Sequence, residues 1–212
     1  MAEVKRLTGR AQAAELSRTA IAQTARRLFR ERGYNQSTME SIAAEAGYAV
    51  QTVYFHFKSK AAILTRLIDE LQANQIAPRY ELAMSTDSPA KIVRLFAAIA
   101  REVCDQGWDL IEALEAAAKG DEALARRLQG WEGGHMFGMT NQTRRLAELG
   151  ALRPGLDPST AVDIGWALTS PDMYRLLRIK RGWDGDAYEQ WLVGALAREL
   201  LPARSRPRLA RA

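Results

Sequence analysis

Side chains that carry metal-dependent or nucleophilic chemistry are few in this sequence. Its 212 residues include one cysteine, Cys104, and two widely separated histidines, His56 and His135. A single cysteine excludes an intramolecular disulfide and a cysteine-based zinc site, and neither histidine belongs to a metal-binding spacing. No general acid, base and nucleophile are spaced for joint catalysis. We therefore predict no metal, no cofactor and no catalytic residue.

Positive charge concentrates at the two ends of the chain. Residues 1–60 contain ten Lys or Arg and five Asp or Glu, residues 61–201 contain sixteen and twenty, and residues 202–212 add four Arg. A basic front end on a mildly acidic body indicates a polyanionic partner for the front end alone. The alternative is a basic tail combined with ordinary scatter of surface charge.

The elements that must position these residues are helices. Apolar residues recur at helical spacing along the whole chain, and no run shows the alternation of a strand. We predict an all-α fold of about nine helices. Several helix boundaries are marked by caps and prolines: Ser88 and Asp157 each precede a proline at the first helical position, and Pro171 is expected to break a helix.

Two short helices near the N-terminus are joined by a tight turn. A first helix over residues 17–32 precedes them. A capping box of Ser37 and Glu40 begins the second helix, which ends at Gly47, and the third covers about residues 49–55. This is a helix-turn-helix arrangement, whose second helix lies in the DNA major groove. Because most such pairs in helical proteins only pack, the arrangement alone is weak evidence.

The residues of this turn and third helix carry a specific pattern. Residues 47–60 are GYAVQTVYFHFKSK, and residues 38–43 are TMESIA. The string strongly resembles the TetR family of one-component repressors, whose pattern is roughly G-V-S-x-x-T-L-Y-x-H/Y-F-x-S/N-K. Residues 152–158 and 166–171 resemble one ligand-domain branch of that family. Tyr48 and Ala49 depart from the usual Val-Ser, which removes a hydroxyl group.

The resemblance implies DNA contacts at eight positions. They are Thr38, Ala49, Val50, Gln51, Thr52, Tyr54, His56 and Lys60. The last four would bind backbone phosphates, which fixes register without recognising sequence. Gln51 would hydrogen-bond a base edge, and Val50 or Ala49 would touch a thymine methyl group. The structural alternatives are that Tyr54 belongs to the core, that Thr52 bonds an earlier carbonyl, and that His56 is an ordinary surface residue.

The resemblance also implies a division of the chain. We predict a flexible segment over residues 1–14, a DNA-binding domain over 15–60, an effector-binding and dimerisation domain over 61–201, and a disordered basic tail over 202–212. Candidate effector contacts are Trp108, His135, Met139 and Trp166. Aromatic and Met side chains at helical spacing are more often plain core, which is the alternative.

Glycines recur every four residues in one predicted helix, at Gly130, Gly134 and Gly138. Each interior glycine costs about 1 kcal/mol relative to alanine, so something should compensate. We favour close packing of two helix backbones along this face. The alternative is that the glycines leave room for a bulky apolar ligand with His135 as its polar anchor.

The last two helices are the family's dimerisation elements. The resemblance places Ile164, Leu168, Trp191, Leu192, Ala195 and Leu196 in a four-helix interface. A homodimer also suits the mechanism, because one short recognition helix contacts few base pairs, whereas two on a palindrome supply affinity. The alternative is that these residues close the protomer's own core.

Together these features predict a homodimeric repressor that binds a palindromic operator and is released by a small, largely apolar effector. The alternatives are an architectural DNA-binding protein without an effector and a helical enzyme with a vestigial helix-turn-helix. Because the sequence shows neither a secretory signal nor an apolar run of membrane-spanning length, we expect a cytoplasmic protein without a membrane partner.

Overall fold

The computed structural model describes residues 9–73 and 76–207. Within these ranges the chain forms ten α-helices and no strand, which confirms the all-α prediction. A π-helical segment, Arg175–Lys180, continues α9, and one 3₁₀ turn, Ala203–Ser205, follows α10. The helices are α1 Gly9–Arg32, α2 Met39–Ala46, α3 Val50–His56, α4 Lys60–Ala73, α5 Ile76–Ser85, α6 Pro89–Ala118, α7 Glu122–Glu148, α8 Pro158–Leu168, α9 Pro171–Tyr174 and α10 Gly185–Leu200.

The chain divides into two compact units. Among the described residues, the N-terminal unit contains 9–70 together with Asp109–Leu128, and the second unit contains 71–73, 76–108 and 129–207. Long helices α6 and α7 therefore contribute residues to both units. The division predicted from sequence, 15–60 and 61–201, separates functions rather than compact bodies, and it stays a prediction.

One apolar core holds α1, α2 and α3 in the N-terminal unit. The predicted stripe on α1 is buried, and so are Val53 of α3 and Phe57 just after it. Because only one face of α3 is covered, its other face stays at the surface. The guanidinium of Arg26 on α1 also pairs with both carboxylate oxygens of Asp109, each at 2.7 Å. The buried members of the stripe are Ile21, Ala25, Leu28 and Phe29.

A capping box begins α2, one residue later than predicted. Thr38 Oγ1 accepts a hydrogen bond from the Ser41 amide at 3.1 Å, and Ser41 Oγ accepts one from the Thr38 amide at 3.0 Å. Ser37 is buried and donates its hydroxyl proton to the carbonyl of Gly33, so the predicted Ser37–Glu40 box is wrong. The predicted stop at Gly47 is confirmed, since its φ of 73° lies in the left-handed region.

The second unit has its own core, formed largely by α6, α7, α8 and α10. The predicted break at Pro171 is confirmed, because α8 ends at Leu168 and Ser170 caps α9. The last helix is capped by Asp184, whose carboxylate accepts from the Ala187 amide at 2.8 Å. The sequence instead predicts a capping box of Asp186 and Glu189 for this helix, and that prediction is wrong. The next two acidic residues of α10, Asp186 and Glu189, instead pair with Arg101 at 2.7 and 3.0 Å.

The two ends of the described chain contain local structure. Helix α1 begins at Gly9, within the segment predicted to be flexible, and residues 1–8 lie outside the described chain, so the flexible segment stays a prediction. In the basic tail, Arg206 donates to the carbonyls of Leu201 and Arg198, at 3.3 and 3.2 Å. Residues 208–212 lie outside the described residues. No helix of the described chain is long and apolar enough to cross a bilayer.

Candidate functional site

The outer face of α3 presents several polar side chains to solvent. Gln51 and Tyr54 are exposed, and Thr52 and His56 are partly exposed. Among the described residues the Thr52 hydroxyl has no hydrogen-bond partner, so the alternative that it bonds an earlier carbonyl is not supported. A short helix that is anchored on one side and carries free donors on the other can dock into a groove. We call these four residues, with Phe55, the α3 surface.

The turn before α3 fixes its starting point. Ala49 is exposed and occupies the N-cap position of α3, without a side-chain cap because it has no hydroxyl, and Val50 is partly exposed. Thr38 is exposed at the start of α2. Its oxygen accepts the capping bond described above, which leaves its hydroxyl proton available. The predicted contact positions at the starts of α2 and α3 therefore lie at the surface, and DNA contact at each remains a prediction.

Lys60, at the start of α4, has internal partners. Its Nζ donates to the carbonyls of Tyr34 and Ser37, at 2.6 and 2.8 Å, and lies 4.1 Å from the centre of the Tyr34 ring. Partial burial lowers the pKa of this ammonium. Two of its three protons are thus committed to the loop between α1 and α2. Lys60 stabilises that loop, and a phosphate contact, predicted from sequence, would have to use its remaining proton.

Phe55 is a surface residue that sequence analysis missed. Its side chain is 83% exposed, the most exposed large apolar side chain of the described residues. It lies four residues after Gln51, so the two share a face of α3. The signal was present in the sequence, since an aromatic residue at this spacing from Gln51 cannot pack inward with Val53. Phe contacts to thymine methyl groups are a known form of base recognition.

A cavity of about 430 Å³ lies within the second unit, beside α7. Its volume is typical of small-molecule sites. None of the fourteen residues that line it carries a charged side chain. Its aromatic lining residues are Tyr80, Phe96, Trp131 and Phe137, and its polar ones besides Tyr80 are Cys104, His135 and Thr169. We call it the α7 cavity.

His135 is the main polar group of the α7 cavity. Its Nε2 lies 2.7 Å from the hydroxyl oxygen of Thr169, just after α8. Burial lowers the pKa of His135 from its usual 6.5 to about 4, so the ring is neutral at physiological pH. Burial also raises the pKa of the Cys104 thiol to about 12, which keeps it protonated. The cavity therefore contains hydrogen-bonding groups without net charge.

Two of the four effector contacts predicted from sequence line this cavity. His135 and Met139 do so, one turn apart on α7. Trp108 and Trp166 do not. The Trp108 ring packs near Tyr174, with centroids 6.0 Å apart, and Trp166 is 38% exposed, its ring 6.2 Å from that of His135. Sequence analysis missed Trp131 and Thr169, although Trp131 lies one helical turn before His135 on the same face.

The glycines of α7 do not mark a tight helix contact within the chain. A Cβ built at Gly130, Gly133 or Gly134 meets no atom of the described residues within 4 Å, and one at Gly138 reaches only Phe96, at 4.0 Å. Close backbone packing against another helix of the described chain is therefore not found at these glycines. Gly134 and Gly138 line the α7 cavity, where a side chain would occupy the space.

The predicted dimer residues separate into two groups. Leu192 and Leu196 are fully buried and Ala195 nearly so, all within the second unit. Burial within the protomer favours the alternative that they close its own core, and their role in a dimer interface stays a prediction. The remaining three are partly buried and pack on the edge of the same core, so their role in dimerisation stays a prediction. They are Ile164, Leu168 and Trp191.

Comparison with known proteins gives sequence matches over part of the chain and structural matches over most of it. A family model described as bacterial regulatory proteins, tetR family, matches residues 21–67, which span the second half of α1, all of α2 and α3, and about the first half of α4. The HTH-type transcriptional repressor BepR from Brucella suis biovar 1 (strain 1330) is 46% identical over 59 residues. That match covers 28% of this chain and 28% of BepR, so it concerns only part of either protein.

Solved structures match over nearly the whole chain. The SmeT–triclosan complex superposes with a TM-score of 0.73 at 20% identity, covering 92% of this chain and 96% of that one. NalD, the secondary repressor of the MexAB-OprM multidrug efflux pump in Pseudomonas aeruginosa, gives a TM-score of 0.69 at 23% identity, covering 91% and 99%. At these identities the likeness shows the fold. The match to the tetR family of bacterial regulatory proteins concerns residues 21–67, and over the rest of the chain the comparisons show a shared fold.

Proposed function

We propose that this protein is a transcriptional repressor that binds a palindromic DNA operator as a homodimer and is released by a small, largely apolar effector. We further infer that it acts in the cytoplasm, where its DNA partner would be. One observation carries the proposal: α3 is fixed by a buried apolar face while Gln51, Thr52 and Tyr54 remain available on the other side. Side chains held in this way can enter a major groove while α3 stays packed on its core.

Similarity supports the DNA-binding part. The family model of bacterial regulatory proteins matches residues 21–67, which include α2 and α3 and none of the residues that line the α7 cavity, so this similarity bears on DNA recognition. The polar side chains of the α3 surface suit this role, since hydroxyl and amide groups can hydrogen-bond phosphates and base edges. A pair of such helices on two half-sites would double the number of recognised base pairs.

The α7 cavity supports the effector. An architectural DNA-binding protein would need no internal space of about 430 Å³, so this alternative is disfavoured. SmeT, whose fold this chain shares, is known as a complex with triclosan. A bound effector would shift the protein toward a shape with lower operator affinity only to the extent that it binds that shape more tightly.

The lining of the cavity does not favour turnover. General acid–base catalysis needs a group that can change protonation near neutral pH. Burial keeps His135 neutral and the Cys104 thiol protonated, and no carboxylate lines the cavity. These features support a binding site rather than a helical enzyme.

Fluorescence anisotropy tests the proposal. Labelled DNA from upstream of the protein's own coding sequence is titrated with the full chain across a salt series, with scrambled DNA as competitor. We expect binding that survives the competitor. Equal affinity for both DNAs, falling steeply with salt, would mean that phosphate attraction alone is responsible and would contradict sequence-specific repression at that site.

The double variant Gln51→Ala, Tyr54→Ala tests the site assignment. We expect a folded protein that has lost operator binding by about hundredfold or more, because a base contact and a phosphate contact are removed from each half-site. Gln190→Ala is the matched control, since Gln190 is exposed on α10, in the second unit. Operator affinity unchanged in the double variant would contradict the assignment.

A further inference from the structure

We propose that the α7 cavity binds an uncharged, mostly apolar molecule that donates one hydrogen bond, through a hydroxyl group, to Nδ1 of His135. The inference rests on the proposed function, because it names the chemical class of the effector. Three observations carry it. The cavity lining has no charged side chain, the Thr169 hydroxyl proton is donated to the Gly165 carbonyl, and Nδ1 of His135 is therefore left as a hydrogen-bond acceptor.

The absence of charge excludes ionic ligands. The fourteen lining residues contain no Asp, Glu, Lys or Arg. A buried carboxylate or ammonium group without a partner pays a large desolvation penalty. Four aromatic rings, together with residues such as Ile99 and Val103, instead offer favourable contact to an apolar body.

The Thr169 hydroxyl determines which nitrogen of His135 carries the proton. Thr169 Oγ1 donates to the carbonyl of Gly165, one turn earlier on α8, at 2.7 Å. A sulfur acceptor, Met139 Sδ, lies farther away, at 3.5 Å. A hydroxyl has one proton, so Oγ1 can only accept from the imidazole at 2.7 Å. His135 therefore carries its proton on Nε2.

The remaining nitrogen is an acceptor. In a neutral imidazole with Nε2 protonated, Nδ1 carries a lone pair. No described residue donates a hydrogen bond to it. Burial holds the pKa of His135 at about 4, so the lone pair persists at neutral pH. A ligand hydroxyl satisfies this acceptor, whereas an ether or ketone oxygen in the same place would face it lone pair to lone pair.

Three matched probes separate these requirements. Isothermal titration calorimetry on the full chain at neutral pH compares para-hexylphenol, para-hexylanisole and para-hexylbenzoate, which share an apolar body and differ in the polar group. We expect the phenol to bind about tenfold more tightly than the anisole, because only the phenol donates a hydrogen bond. We expect the benzoate to bind at least about hundredfold more weakly than the phenol.

A variant ties the difference to the imidazole. His135→Phe keeps a ring of similar size and removes the acceptor, so phenol affinity should fall to that of the anisole, while anisole affinity stays the same. Trp166→Phe is the matched control, because Trp166 lies beside His135 without lining the cavity. It should preserve the tenfold preference for the phenol.

A spectroscopic measurement does not depend on how any variant folds. Nitrogen NMR of the histidine-labelled protein distinguishes a protonated from an unprotonated imidazole nitrogen. We expect an unprotonated Nδ1 for His135 whose resonance moves when para-hexylphenol is added. A proton on Nδ1 would overturn the proposal.

The other overturning results are equal binding of phenol and anisole, a preference that survives His135→Phe, tightest binding of the benzoate, or no binding of any probe. All of these measurements are made without DNA. Failure here together with operator binding in the anisotropy experiment would therefore reject the ligand class and leave the repressor proposal standing.

Discussion

The α3 surface and the α7 cavity differ in how their residues are held. Val53 anchors α3 in a small core, the left-handed turn at Gly47 ends α2 just before it, and the polar side chains of α3 extend into water. In the cavity, residues from α5, α6, α7 and the α8–α9 junction converge on an apolar space with one neutral imidazole. Contacts at the first site would therefore weaken strongly with salt, whereas contacts at the second would depend on shape and hydrogen bonding.

Filling the cavity should give the largest effect and affect only one of the two regions. Gly134 lines the α7 cavity, and a Cβ built there meets no atom within 4 Å. Gly134→Leu should therefore fold, with a gain of about 1 kcal/mol in helix stability. Its side chain should take the ligand's space and weaken para-hexylphenol binding by at least about hundredfold, measured by calorimetry.

Gly130→Leu is the matched control for this substitution. Gly130 lies one turn earlier on α7, also has open space at its Cβ position, and does not line the cavity. It should gain the same helix stability and retain the probe. Similar probe affinity in the two variants would mean that the cavity is not where the ligand binds.

Sequence patterns predicted the N-terminal unit well because its determinants are local. The α1 stripe and the αL turn at Gly47 follow from residues within a few positions of each other. The one error at the start of α2 arose because Ser37 and Thr38 are adjacent and both have hydroxyl groups that can cap. Burial of Ser37 decides between them, and burial depends on how α1 packs.

The second unit was less predictable because its site depends on distant segments. Trp166 follows His135 by about thirty residues, and whether it faces a cavity depends on the rotation of α8 against α7, which no local pattern specifies. Leu192 and Leu196 illustrate the same limit. Their spacing suits a dimer helix as well as a central core helix, and only the packing of the whole unit shows that they are buried.

The dependence of stability on pH tests whether His135 is buried in the α7 cavity. Its pKa is depressed from 6.5 to about 4 in the folded protein, so the unfolded chain takes up a proton first as pH falls. The stability that His135 contributes is present above pH 6.5 and is lost as pH falls toward 4, by about 3 kcal/mol in total. Urea unfolding at several pH values should show that the free energy of unfolding falls less steeply with decreasing pH for His135→Phe than for the natural chain. Parallel curves would mean that the imidazole is not shielded from water.

A variant at Lys60 tests whether this residue stabilises the loop between α1 and α2 or binds a DNA phosphate. Replacing it with Met removes two hydrogen bonds to the carbonyls of Tyr34 and Ser37. We expect a stability loss of about 2 kcal/mol by urea unfolding. If its role is to hold the loop, the slope of operator affinity against salt should stay unchanged.

Lys58→Met is the control for Lys60, because Lys58 is exposed and lies two positions earlier. It should leave stability within about 0.5 kcal/mol of the natural chain. A salt slope that falls by about one per protomer in Lys60→Met would instead assign Lys60 to a phosphate.

Phe55 gives the smallest expected effect and the sharpest separation of stability from recognition. Because its ring is 83% exposed, Phe55→Ala should change stability by less than about 0.5 kcal/mol. Leu16→Ala, also at an exposed apolar residue of the N-terminal unit, should be equally mild and should leave DNA affinity unchanged. If Phe55 touches a thymine methyl, Phe55→Ala should lower operator affinity by about fivefold to tenfold in anisotropy measurements.

The decisive comparison uses an operator in which deoxyuridine replaces thymine, since uracil lacks only that methyl group. The natural chain should bind the deoxyuridine operator more weakly than the thymine operator, and Phe55→Ala should bind both operators equally. An equal preference for the thymine operator in both proteins would show that Phe55 does not contact the thymine methyl group.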